Sequence, residues 1–296
     1  MPNNTPRSQQ ARAAAELALV RVVHHYGSRP EFVLLGGLVP ELLCSGSAFK
    51  HAGTTDVDVQ VNLEIASGSV GAQRLERALR NAEFTPDPKN LWRWHAEGAP
   101  TTTVVKFELL SDLDDHPSEA TIHFEAADEL GAINLRGTGF AAEDVIVQEL
   151  EAKIGTEVYR VEVNVAGLAG FLLAKAAAAY ARRLPKDWYD IAFVLIHNDE
   201  GGPQAAATRV VDRFGDRVEG SIRTALDDLA ANFATPTAQG PRAYATQMTA
   251  DDPALQPDVL AADAVLAISE FRSEIAQRLT IKRSQQQERP GFGRCQ

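Results

Sequence analysis

The period of the apolar residues changes near residue 166, and this change limits the fold more than any other feature of the chain. Before it, several short segments place an apolar residue at every second position, which puts alternate side chains on opposite faces of a half-buried strand. After it, apolar residues recur every three to four positions, the spacing of an amphipathic helix. The strand-type segments are residues 31–35, the run Asp56-Val57-Asp58-Val59-Gln60-Val61, residues 91–95 and 102–110 as a hairpin, residues 132–135, and Val161-Glu162-Val163-Asn164-Val165. Helical spacing falls between them at residues 9–25, 38–44 and 71–81, with Gly36-Gly37 as a turn after the first strand. Beyond residue 166 the helical stretches are 168–183, 187–196 and 258–279, followed by a polar stretch, 282–296, that reads as a mobile tail. The expected architecture is an α/β (α+β) domain with a mixed sheet over residues 1–165 and a mainly α-helical domain over residues 166–296.

Composition narrows the function classes. With 296 residues, 45% hydrophobic and 23% charged, the chain has enough apolar material for two modest globular cores. No apolar run approaches the length a bilayer requires, and residues 1–10 lack the basic-then-apolar order of a signal peptide, so the expectation is a cytoplasmic protein with no membrane partner. Cys44 and Cys295 are too few and too differently placed for a disulfide framework or a thiolate metal cage. A net charge of -11 argues against a general nucleic-acid coat protein, because that binding depends on neutralising phosphates. Any nucleic-acid contact must be local.

The residues able to do chemistry begin with Asp56 and Asp58. Two positions apart on a strand, their carboxylates project from one face and repel each other unless a cation intervenes, and hard oxygen ligands of this kind suit Mg²⁺. An isolated Asp-x-Asp is more often just a solvated strand face, so the assignment needs support elsewhere. In Val104-Val105-Lys106-Phe107-Glu108, Lys106 and Glu108 share a face, and Glu108 is a candidate third metal ligand or proton acceptor. Upstream, Gly36 and Gly37 lie where backbone N–H groups at a helix start can receive phosphate. In the helical half, Lys175 and Arg182 are seven residues apart on one stripe, where they can meet a triphosphate or simply be solvated. Asp187 and Asp190 lie at the start of the next helix, where capping is their plain explanation.

Taken in order, Gly36-Gly37, Asp56-x-Asp58, Glu108, Lys175 with Arg182, and Lys186-Asp187-x-x-Asp190 resemble the polymerase-β-type nucleotidyltransferases. More narrowly, the block from Leu173-Ala174-Lys175 to Lys186-Asp187-Trp188-Tyr189-Asp190 is similar to that of the AbiEii/MenT toxin family. The resemblance spans roughly residues 30–200 by motif alone. It implies transfer of a nucleoside monophosphate from a nucleoside triphosphate (NTP) to an acceptor hydroxyl, with release of pyrophosphate and the 3′ end of tRNA as the first candidate acceptor. A cognate antitoxin is implied as a partner. Asp56, Asp58 and Glu108 would hold one or two Mg²⁺ ions. Gly36, Gly37, Thr55, Lys175, Arg182 and Lys186 would contact nucleotide, with Asp187 and Asp190 in the catalytic set beside Lys175. Where the family usually carries an Arg before its Asp-x-Asp, this chain has His51-Ala52-Gly53-Thr54-Thr55.

Two other readings stand beside this one. An acidic protein suits a cationic small acceptor, as in antibiotic-type nucleotidyl transfer. A catalytically silent nucleotide-binding module of the same fold is the third.

Overall fold

The structure is a computed structural model that describes residues 8–61, 69–98 and 103–287. Among the described residues nine strands form one mixed sheet: β1 (Val33–Leu35), β2 (Asp56–Gln60), β3 (Thr85–Pro86), β4 (Arg93–Gly98), β5 (Thr103–Ser111), β6 (Thr121–His123), β7 (Gly131–Asn134), β8 (Val145–Ile154) and β9 (Glu157–Ala166). The main order is β3-β4-β5-β2-β1-β9-β8, with β7 paired to β5 and β6 to β7. β2 runs parallel to β5 and antiparallel to β1, so the strand with alternating aspartates sits in the middle of the sheet with a neighbour on each side. Its valines, Val57 and Val59, are fully buried on the face opposite the aspartates.

In the first half, α1 (Gln9–Tyr26) lies across β5, β8 and β9 and packs on α3 (Ser69–Asn81), while the short α2 (Val39–Leu43) follows the Gly36–Leu38 turn. Ser8 caps α1 through its side chain, and Gly27 ends it in the left-handed region at φ 80°. α4 (Gly139–Glu143) leans on β1, β2 and β9 and joins them to the helical half. There the chain forms α5 (Leu168–Arg182), α6 (Pro185–His197), α7 (Pro203–Phe214), α8 (Gly220–Asn232), α9 (Gln239–Asp251) and α10 (Pro257–Gln287). One continuous apolar cluster runs from Ala15 through the sheet valines to Phe271 and Ile275, so the core crosses residue 166 without a break.

The mixed sheet and the helical C-terminal region agree with the expected fold class. Two expectations change. The last helix continues past residue 279 to Gln287, where Lys282 pairs with Asp216 and Arg283 with Glu219. Of the expected mobile tail, residues 288–296 lie outside the described residues, as do residues 1–7 of the N-terminal stretch and residues 99–102 of the expected hairpin. Strand β8 was not expected: its sequence Val-Ile-Val-Gln-Glu-Leu-Glu-Ala-Lys-Ile lies at the sheet margin with most of both faces only partly covered, which leaves little apolar alternation to read. Cys44 is buried as a free thiol. Among the described residues no helix is long and apolar enough to cross a membrane.

Candidate active site

The strand side of the site follows from register. The β2–β5 pairing sets Asp56 opposite Lys106 and Asp58 opposite Glu108, and β4 sets Arg93 opposite Glu108. Lys106 Nζ lies 3.3 Å from Asp56 Oδ1, and Arg93 Nε donates to Glu108 Oε1 at 2.7 Å. Burial pushes the Asp58 carboxyl up to about 7, with the charges of Glu108 and Asp56 adding to the rise while Lys186 and Lys175 oppose it. Glu108 is likewise raised, by burial first; Arg93 resists the shift and Asp56 adds to it. The three acids therefore crowd one another.

Gly36 explains how close the backbone comes. It adopts φ 78°, and a Cβ placed there would fall 2.0 Å from Asp58 Oδ2, so only glycine fits. Gly37 packs its Cα side against Thr54, where a Cβ would meet the Thr54 side chain at 3.0 Å. Both glycines are buried. Thr55 is 1% exposed and its hydroxyl has no hydrogen-bond partner among the described residues.

The helical side is a buried ion network. Gly167 and Gly170 let the start of α5 press against Asp144, whose Oδ2 accepts from Gly170 N at 2.9 Å. α5 ends where Arg183 takes the left-handed conformation at φ 50°, and Pro185 opens α6 at once. This tight reversal folds Arg182 back over Asp187, which it grips with two bonds of 2.7 Å. Lys175 Nζ donates to Asp190 Oδ2 at 2.7 Å and to Asp187 Oδ1 at 3.2 Å. Lys175 is 7% exposed, while Asp187 and Asp190 are fully buried. Burial would lower the Lys175 pKa, but the two carboxylates outweigh it and hold the ammonium charged. Burial also disfavours the Asp187 anion, yet Lys175 and Arg182 keep its pKa below the usual range. The aspartates are structural partners of the cations as well as helix-start residues, which capping alone does not explain.

Sequence reasoning did not single out His51, Arg93 or Tyr189 as site residues. His51 is fully buried with Nε2 2.9 Å from Asp190 Oδ1, and its ring stacks on Tyr189 at 4.9 Å. A histidine in a run of small residues just ahead of the Asp-x-Asp strand was the available signal. Lys186, at the second position of α6, forms no ion pair among the described residues.

The two sides belong to one electrostatic neighbourhood. Lys175 and Lys186 act on Asp58; burial opposes the Arg182 charge, its pairing with Asp187 outweighs that and raises its pKa, and Asp58 adds a smaller push in the same direction. Among the described residues, no three His, Cys, Asp or Glu side chains stand as a ready ligand cluster, and Lys106 and Arg93 instead engage Asp56 and Glu108. Asp56 and Asp58 nevertheless suit a divalent cation. They are hard oxygen donors on one strand face, and the crowding that raises the Asp58 pKa is a cost that a bound cation relieves.

Comparison with protein-family models finds no match, and comparison with curated proteins finds none. Among solved structures the chain is similar to one titled "Crystal structure of an antigenic nucleotidyltransferase-like protein from Paracoccidioides brasiliensis". Identity is 12% and the TM-score 0.31, with 74% of this chain and 94% of that chain covered.

Proposed function

We propose that the chain is a Mg²⁺-dependent nucleotidyltransferase that moves a nucleoside monophosphate from an NTP to an acceptor hydroxyl, as the toxin of a toxin–antitoxin pair acting on the 3′ end of tRNA. The observation that carries this reading is the crowded Asp56–Asp58–Glu108 face set in the electrostatic field of Lys175, Lys186 and Arg182. Few structural needs account for three half-buried carboxylates on adjacent strands of one sheet, whereas phosphate chemistry uses such a group. Asp56 and Asp58 would hold the metal, and a bound Mg²⁺ would supply neutralisation of charge on phosphate oxygens.

The chain's own residues do the rest. Lys186 is the cation left to meet a phosphate, and Arg182, exposed along its side chain, offers a guanidinium edge beyond its grip on Asp187. The acceptor oxygen bonds to the α-phosphorus as the bond to the pyrophosphate oxygen breaks, and pyrophosphate leaves with that electron pair. Glu108, fixed by Arg93 at Oε1, keeps its second oxygen to take the proton of the acceptor hydroxyl. The remaining acceleration is positional and electrostatic.

The test supplies each of the four labelled nucleoside triphosphates with total tRNA and Mg²⁺. Label on tRNA from one of them, lost in Asp58→Ala, is the expected result. A second reading, transfer to a cationic small molecule, is favoured by the net charge of -11. Label appearing on an aminoglycoside-type acceptor but never on tRNA would select it, and no transfer to either would overturn both.

A further inference from the structure

We propose that His51 is a positioning residue for the transfer reaction, holding the strand that carries Asp56 and Asp58 at a fixed setting against the Lys175–Asp187–Asp190 network; the catalytic half of this inference rests on the reading above. Two facts make the case. First, His51 joins two elements distant in sequence: its Nε2 meets Asp190 Oδ1 at 2.9 Å, and Asp190 uses its other oxygen for Lys175 at 2.7 Å. One carboxylate thus bridges the histidine and the buried lysine.

Second, three backbone polar groups of the segment around His51 are tied to other elements. The His51 N–H donates to Glu41 Oε2 at 2.8 Å, its carbonyl accepts from Gln9 Nε2 at 2.9 Å, and the Ala52 N–H donates to the Tyr189 hydroxyl at 2.9 Å. The imidazole also stacks on Tyr189 and meets Phe193 edge-on at 5.0 Å. Tyr189, Asp190 and Phe193 all belong to α6. Five residues after His51 the chain reaches Asp56, and Thr54 Oγ1 accepts from the Asp56 N–H at 3.1 Å on the way. With the segment so short and so tied, a shift of His51 against α6 is passed to the start of β2. A few tenths of an ångström there alter the spacing between the strand acids and the helical cations, on which an in-line displacement depends.

Neighbours that orient a functional carboxylate without touching substrate typically change activity by about 10–100-fold when removed. His51→Phe keeps a flat ring against Tyr189 and Phe193 and deletes the bond to Asp190. His51→Gln keeps a polar end able to reach Asp190. Tyr189→Phe removes one hydroxyl and frees the Ala52 N–H, a milder change in case His51→Phe folds poorly. Two measurements are made on each full-length protein: kcat and KM for labelled nucleotide transfer, and amide hydrogen exchange over residues 52–58 and the first turn of α6.

The expected result for His51→Phe is a kcat lower by about 10–100-fold with KM for the nucleotide within about threefold, faster exchange over residues 52–58, and a melting temperature lower by only a few degrees. His51→Gln recovers much of both losses, and Tyr189→Phe falls between. Unchanged exchange in His51→Phe overturns the proposal, and so does a fall in kcat matched by an equal fall in stability with no recovery in His51→Gln. If the wild-type chain transfers no nucleotide to any acceptor, the functional reading fails by itself, and the exchange data then decide alone whether His51 sets the strand.

Discussion

The Asp58 carboxyl carries a cost that depends on pH. Its folded pKa, about 7, lies above the ordinary value of 3.8, so the folded protein binds this proton more tightly than the unfolded chain does. The stability it contributes is complete below about pH 4 and is lost as pH rises through 7. Asp58→Asn removes that loss. At pH 8 without divalent ions the variant is expected to unfold at the same or higher urea concentration than the wild type, while transfer falls by about a hundredfold or more. A urea midpoint clearly below the wild type would contradict this. Asp187→Asn should behave in the opposite way, costing about 1–3 kcal/mol, because it takes the charged partner from Arg182 and leaves Lys175 with Asp190 alone.

His197 titrates with the other sign. Burial lowers its pKa from 6.5 to about 4, so between those values the unfolded chain takes up a proton that the folded chain refuses. Stability therefore falls as pH drops from 6.5 towards 4. His197→Phe is expected to flatten that part of the difference curve against wild type, measured by urea midpoints at half-unit steps. An identical slope in the variant would rule His197 out as its source.

At the scale of elements, Gly36 ties the first strand to the site. Gly36→Ala must relieve a 2.0 Å approach to Asp58 Oδ2 and accept a left-handed φ, so it is expected to destabilise the protein by about 1–3 kcal/mol and to displace Asp58. Urea unfolding and label transfer report the two effects, and a variant normal in both would show that the turn relaxes without strain. Much of this part of the fold was legible in the sequence. Val57 and Val59 alternating with Asp56 and Asp58 mark β2, and the glycine pair marks its neighbouring turn. Pro185 after Arg182 marks the reversal between α5 and α6. What was not legible had no local signature. β8 lies at the edge with mixed polarity on both faces, and β3 and β6 are too short to show a period. The pairing of Lys175 with Asp187 and Asp190 depends on how two helices reverse, and the bond from His51 to Asp190 spans 139 positions. Spacing within one segment does not report contacts of that kind.

For the molecule as a whole, the apolar core continues across the boundary that periodicity suggested at residue 166. Trp92 and Trp94 lie in or beside β4, and Trp188 is buried in α6, so fluorescence samples both halves. One urea transition is expected, coincident for tryptophan fluorescence and for helical circular dichroism, and residues 1–165 alone should not unfold cooperatively. Two separated transitions would mean that the halves are independent.

The paired state of Lys175 and Arg182 sets the terms on which any polyanion arrives. The helical half offers them already neutralised by Asp187 and Asp190, so on the proposed reading an incoming phosphate would meet Arg182 only at the guanidinium edge that Asp187 leaves and would reach Lys175 only by displacing a resident carboxylate. An acidic protein can in this way keep two strong cations at hand without drawing in every passing nucleic acid.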